Sequence, residues 1–494
     1  VTSGPSPRRF SPAKIGGVAA GVAAFVLIAF VDSPLHHVGE HGARPAYAAA
    51  VAALMAVWWL TEALPIHVTG CAPLVLFVPL GVFEGDAAEQ WKSTVSPYFG
   101  DYVRLFAGGM CIGAAMQQWG LDRRIALAIM RAVGTEPKRL LFGFLAATAT
   151  ISMFISNTAT AAMMVPIAAA VVHQLERRIG GRRLAGYGAA VMLSIAYAAN
   201  IGGVGTKIGS PTNGQLCGVL QKLGVEVTFL QYSAVGVPFV ALMLPIAWWV
   251  LWRVGRVDAP PRESGGETIA EESRKLGPVS RGERLVLCVF AMTALAWILA
   301  SDIAAWLSTS AGAVKSAQIE GGVSLLAALV LIVARVEGRQ AVGWAALRKA
   351  PWSTLLLLGG SFAIAAGIER SGLSDWLAAH LVALREMPPF QQVLVASAAT
   401  VAISAVASNT ATVSVLLPLL RNAVEPSRMT TALFASTIAS SCDFALPAGT
   451  PPNAIVFGTG YVTIPRMVKS GVVLDAIAAV LAAAWTWVAV PIDL

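Results

Sequence analysis

The sequence predicts an all-α polytopic membrane protein of about 11 transmembrane helices plus two re-entrant helical hairpins. Three observations lead there. The 494-residue chain is 56% hydrophobic and only 13% charged, with a mean hydropathy of +0.69; soluble domains carry about 25% charge. The apolar residues fall in runs such as 14–31, 46–64, 232–251 and 471–490, near the ~20 residues that cross a bilayer core. And the peptide Ser-Asn-Thr-Ala-Thr occurs twice inside apolar stretches, at 156–160 and 408–412, with an offset of 252 residues.

The elements follow in order. The basic, Pro-rich segment 1–14 is expected to be a cytoplasmic tail, because no small-residue cleavage site follows the first apolar run. Spans are expected near 15–31, 45–64, 67–83, 102–118, 186–222 (broken), 232–252, 283–300, 319–334, 351–368, 428–461 (broken) and 466–490. The apolar hairpins 138–173 and 389–424 enter and return on one side. Segments 122–133 and 374–384 are amphipathic and suited to the interface. Residues 256–282 are rich in Gly, Pro, Ser and charge and read as a cytoplasmic linker.

Arg123, Arg124, Arg131, Arg177, Arg178, Arg182, Arg183 and the basic loop 253–284 share one side of this scheme. The positive-inside rule makes that side cytoplasmic, places the N-terminus inside and the C-terminus outside, and fits the cell (inner) membrane. The net charge of +8 thus sets orientation in the lipid bilayer and does not point to nucleic acid. The five cysteines stand singly and read as packed small hydrophobes.

The chain is doubled. The segment 105–121 resembles 356–373, an SNTAT hairpin follows each, and a Gly/Pro-broken span follows each hairpin. Ser210-Pro211-x-Asn213 aligns with Thr450-Pro451-x-Asn453 at an offset of 240. An odd number of spans separates the halves, so they are expected to insert with opposite orientation. Broken helices at matching places of an inverted repeat are the mark of a secondary transporter. Packing by small residues would explain one SNTAT copy, but not two copies with matching breaks downstream.

Backbone that breaks at membrane depth needs partners for its N–H and C=O groups. A hairpin tip offers carbonyls from the ending helix, which suit a hard cation. It also offers N–H groups from the starting helix, which suit a carboxylate. Ser, Asn and Thr add neutral oxygens that permit close approach.

At these residues the chain resembles the divalent-anion:sodium symporter family, over nearly its whole length. The resemblance rests on SNTATAAMMVPIA, SNTATVSVLLPLL, LPAGTPPNAIVFGTG at 446–460 and WWLTEALPIHVTGCAPLVLFVPLGV at 58–82. It implies a homodimer working as an elevator, with a scaffold (15–134 and 283–386) and a moving transport domain (135–255 and 387–494). It implies that Ser156, Asn157, Thr158, Ser408, Asn409 and Thr410 bind the anion, with Pro451 nearby and Thr450 and Ser210 at the aligned breaks. It implies one sodium site of Ser152, Ser156, Asn157 and Gly202 or Gly203, and a second of Ser404, Ala407, Asn409 and Gly449. Sodium is the expected coupling ion, with no further cofactor.

Two residues depart from the family pattern, Lys207 in GTKIGSPTN and Asp443 in SSCDFALP; Thr212 also stands where proline is usual. Ionisable groups in broken spans are functional candidates by default. Lys207 is expected to bind the anion, to replace a cation at the first tip, or to pair with Asp443; Asp443 is expected to form that pair or, as a coupling residue, to carry a proton. The leading function is sodium-coupled transport of a small dianion, most plausibly a C4-dicarboxylate such as succinate, with sulfate as the rival. The alternative is an exchanger in which Lys207 stands in for a cation. An anion channel, or a membrane-embedded enzyme built on Ser210 and Lys207, is remote.

Overall fold

Proline opens and glycine closes many of the helices, as their geometry dictates: proline lacks the N–H that a first turn leaves unpaired, and glycine accepts the left-handed turn that ends a helix. The computed structural model describes residues 12–181, 183–260, 266–308, 312–380, 385–447 and 449–490. Most of the expected tail, Arg182, residues 261–265 of the linker and the end of the second amphipathic segment lie outside these.

The chain runs α1 (Pro12–Phe30), α2 (Arg44–Leu60), α3 (Ile66–Thr69), α4 (Ala72–Leu80), α5 (Ala87–Val95), α6 (Asp101–Trp119), α7 (Leu121–Val133), α8 (Pro137–Ser152), α9 (Asn157–Arg178), α10 (Ala185–Gly203), α11 (Pro211–Lys222) and α12 (Phe229–Gly255). It continues with α13 (Gly266–Lys275), α14 (Arg281–Ile298), α15 (Ala300–Leu307), α16 (Ser316–Val333), α17 (Trp344–Leu347), α18 (Ser353–Arg370), α19 (Leu373–His380), α20 (Pro389–Ser404), α21 (Asn409–Ala423), α22 (Met429–Ser440), α23 (Pro451–Phe457) and α24 (Ile464–Ala489).

Among the described residues six helices are long and apolar enough to cross a bilayer: α1, α9, α10, α12, α16 and α24. The pair α14 and α15 reads as one more span, bent by 67°. The other expected spans are shorter, more polar, or cut by glycine and proline. The hairpin arms α8, α20 and α21 have 16, 16 and 15 residues. At 1.5 Å per residue that is about 24 Å or less, short of the roughly 30 Å core. Helix α9, the return arm of the first hairpin, has 22 residues and is long enough to span.

The all-α expectation needs one correction. Arg335–Val336 and Arg339–Gln340 pair as a small antiparallel ribbon. Glu337 and Gly338 both take positive φ, 54° and 77°, the geometry of a two-residue hairpin turn.

One large apolar core joins α6–α12 to α14, α16 and α20–α24. A second gathers α2, α4, α18 and α19. Within α10, all residues from Gly186 to Gly203 are buried, so this helix is the axis around which the first hairpin and α12 pack.

The linker is more than a tether. Its helix α13 docks on α7, which lies where the amphipathic segment 122–133 was expected. Arg123 pairs with Glu272, and Arg124 Nε donates to Glu283 Oε1 at 2.6 Å. Arg124 also donates to the Gly277 and Leu276 carbonyls at 3.0 and 3.2 Å. Hydrogen-bonded by Lys275 at 2.9 Å and paired with Arg123, the Glu272 carboxyl sits below the usual carboxylate range. Arg124→Ala is expected to loosen this dock and speed tryptic cleavage within 256–282 several-fold. Unchanged cleavage rates would show that the linker is held elsewhere.

Candidate functional site

Each SNTAT copy sits where one helix stops and the next begins. Helix α8 ends at Ser152 and α9 starts at Asn157; α20 ends at Ser404 and α21 starts at Asn409. The last residue of the first arm and the first of the second are tied across both tips. The Ser152 hydroxyl lies 2.7 Å from the Asn157 amide, and the Ser404 hydroxyl 3.0 Å from the Asn409 amide. Each hydroxyl also reaches a carbonyl at the end of the following span: Ala199 at 2.7 Å and Ser440 at 2.8 Å. A serine has one hydrogen to give. Ser152 gives it to Ala199, so the Asn157 nitrogen faces Ser152 Oγ, Ala199 O (3.1 Å) and Gly209 O (3.3 Å).

The breaks are held by a repeated device. Asn213 Nδ2 donates to the carbonyls of Gly203 and Thr206, both at 2.7 Å. Asn453 Nδ2 donates to those of Asp443 and Leu446, both at 3.0 Å. The partners are 240 residues apart throughout. Both asparagines are fully buried, so each amide satisfies carbonyls that an ending helix would leave bare.

Four helices, α9, α11, α21 and α23, begin at one cavity of about 730 Å³. Their N-cap residues Ser156, Ser210, Ser408 and Thr450 all line it, with Asn157, Thr158, Asn409, Thr410, Gly449 and Pro451. Phe106, Met110, Phe154, Ile155, Ile208 and Leu357 form apolar wall. N-terminal dipoles converging on a largely apolar cavity favour an anion. Thr450 Oγ1 accepts from Asn200 Nδ2 at 3.0 Å and from Asn453 N at 3.4 Å, which leaves its own hydrogen to donate into the cavity.

Lys207 is placed differently from every expectation. Its ammonium lies 2.7 Å from Glu320 Oε2 with both side chains at 0% exposure, and 5.5 Å from the centre of the Tyr102 ring. It does not meet Asp443 and does not line the cavity. Its side chain leaves the break on the side facing α6 and α16, although Pro447, its counterpart at the repeat offset, lines the cavity. Glu320 is held in turn by the Phe229 N–H at 2.6 Å. Ser210 Oγ bonds Thr212 Oγ1 at 2.9 Å, so no Ser210–Lys207 pair is assembled. Asp443 instead lies behind the second tip, with Asn409 Nδ2 3.4 Å from its Oδ1.

Asn200, Glu320 and Lys349 were not expected at or beside the site. Asn200 was visible as the lone amide in an otherwise small and apolar α10. Glu320 was visible as an acid inside an expected span. Lys349 and Glu62 are exposed cavity-lining residues at the rim. Glu62, two residues beyond the end of α2, has φ 47°.

A family model described as the sodium:sulfate symporter transmembrane region matches residues 14–491. The chain belongs to this family, the divalent-anion:sodium symporters. It is 32% identical to the sodium-dependent dicarboxylate transporter SdcS of Staphylococcus saprophyticus over 476 residues, covering 94% of this chain and 89% of the relative. It is 33% identical to SdcS of Staphylococcus aureus strain USA300 over 464 residues, covering 91% and 86%. The YdaH transporter of Alcanivorax borkumensis shares the fold at a TM-score of 0.57 and 15% identity, covering 86% of this chain and 99% of that one.

Lys207→Met strands the Glu320 carboxylate in the interior and is expected to destabilise by about 3–5 kcal/mol. Adding Glu320→Gln should recover most of that loss in a tryptophan-fluorescence melt. A double variant no more stable than the single one would show that the pair does not hold this region.

Proposed function

We propose that this symporter-family chain is a secondary active transporter that carries a C4-dicarboxylate such as succinate across the cell membrane together with sodium. The observation that carries this reading is the convergence of four helix starts, including both SNT tips, on one cavity. Each end of a dicarboxylate can meet one tip, at Ser156-Asn157-Thr158 and at Ser408-Asn409-Thr410, with Thr450, Pro451 and Ser210 between them. The apolar wall suits the methylene segment. The sodium dependence named for the SdcS relatives supports sodium as the coupling ion.

The cations would sit behind the tips, where Ser152, Asn157 and Gly203 meet on one side and Ser404, Ala407, Asn409 and Gly449 on the other. Glu320 cancels the charge of Lys207, so Lys207 does not supply the cation that an exchanger would need at the first tip. That favours symport over exchange. In this reading the transport parts, 135–255 and 387–494, move as an elevator against the scaffold parts, 15–134 and 283–386, within a homodimer. With the N-terminus inside, the rim at Glu62 and Lys349 faces the cytoplasm.

Reconstituted vesicles should take up labelled succinate faster when a sodium gradient points inward, and sulfate poorly. Asn157→Ala and Asn409→Ala should each lower uptake by about two orders of magnitude while the protein remains a single species on gel filtration. Uptake that ignores sodium but is strongly stimulated by internal dicarboxylate would replace symport by exchange. Normal uptake by both variants would remove the tips from the site.

A further inference from the structure

We propose that the Asp443 carboxylate is a direct, negatively charged ligand of a sodium ion at the second hairpin tip. The inference rests on the sodium-coupled reading above and adds a residue that the family pattern does not supply.

Asp443 follows the end of α22 and is 1% exposed. One of its oxygens, Oδ1, meets the Asn409 amide at 3.4 Å. The other, Oδ2, is buried and has no hydrogen-bond partner among the described residues. Buried polar atoms are rarely left this way, and an orphan calls for a missing partner such as an ion. Its direction says where that partner would lie. A Cβ built on Gly449 would collide with Asp443 Oδ2 and would lie 3.4 Å from the Ala405 carbonyl oxygen. The carboxylate oxygen and the end of α20 thus converge on the space beside Gly449. Asn409, which begins α21, closes another side.

The surrounding charges sharpen the argument. Among the described residues the titratable neighbour facing Asp443 is a second acid, Asp475 of α24, already engaged by the Phe444 N–H at 2.7 Å. Lys207 is held at Glu320. No basic side chain among the described residues meets Asp443. Carboxylate and carbonyl oxygen brought together at helix ends have the hard-oxygen chemistry that a small cation prefers.

The first tip offers no such group. At the repeat offset of 240, Gly203 stands where Asp443 does. A Cβ on Gly203 would lie 2.6 and 2.9 Å from the two polar atoms of the Asn157 amide, so the amide occupies the space that a side chain would need. The first tip can hold a cation with neutral oxygens alone, whereas the second would hold it with a formal charge. The two sites are therefore unequal, with tighter binding at the second.

Equilibrium binding of labelled sodium to the purified full-length protein tests this without any transport assay. Asp443→Asn and Asp443→Ala, each run as a single species on gel filtration, should raise the half-saturating sodium concentration of the tighter site at least tenfold. A smaller change in both variants overturns the inference while leaving sodium coupling intact. A wild-type protein that binds no sodium overturns the coupling reading and the inference with it. If neither variant stays monodisperse, the infrared difference spectrum of the wild type between sodium and choline decides. A carboxylate-stretch change is expected, and a flat carboxylate region overturns the proposal.

Discussion

A helix that stops inside a membrane leaves carbonyls and N–H groups that lipid cannot satisfy, and this architecture follows from how those groups are met. The chain stops helices at four places around one cavity. Behind each break an asparagine amide takes up two carbonyls, Asn213 in the first half and Asn453 in the second. At each tip a buried serine ties the end of one arm to the start of the next and to the neighbouring span. With the ending helices satisfied internally, the starting helices keep their N–H groups for the cavity. The site is thus the unspent remainder of backbone hydrogen bonding, arranged twice.

Duplication gives two tips of the same construction, but the charges around them differ. The first half carries Lys207, neutralised by Glu320 of α16. The second carries Asp443, whose Oδ2 has no hydrogen-bond partner among the described residues. A close pair of opposite charges largely cancels at a distance; a lone carboxylate does not. The asymmetry lies less in the SNTAT peptides, which match letter for letter, than in what stands just behind them.

Much of this was legible in the sequence because repetition exposed it. The offsets of 252 and 240 mark the tips and the breaks, and the structure begins and ends helices at those same residues: α8 and α20 both end at the serine, and α11 and α23 both begin at the proline. The partners of single charged residues were not legible. Lys207 and Asp443 lie in equivalent elements of opposite sign, which made a mutual pair attractive. Pairing, however, is set by which face of a break a side chain leaves, and one sequence does not report that. Glu320 lies 113 residues from Lys207, in a span read only as apolar. Helix length does not reproduce the span count, because glycine and proline divide apolar stretches into shorter helices such as α3 and α4 or α10 and α11.

The buried Lys207–Glu320 contact has a mechanical meaning. It rivets the turn at 204–210 to α16 and, through the Phe229 N–H, to the start of α12. Pulling such a contact open would leave two bare charges in a dry interior, at a cost of about 3–5 kcal/mol for each left unpaired. Sliding 135–255 against 283–386 as those parts are drawn would have to tear it. The motion proposed above avoids that cost only if α16 goes with the first tip, so that 316–333 passes from the scaffold part to the moving part.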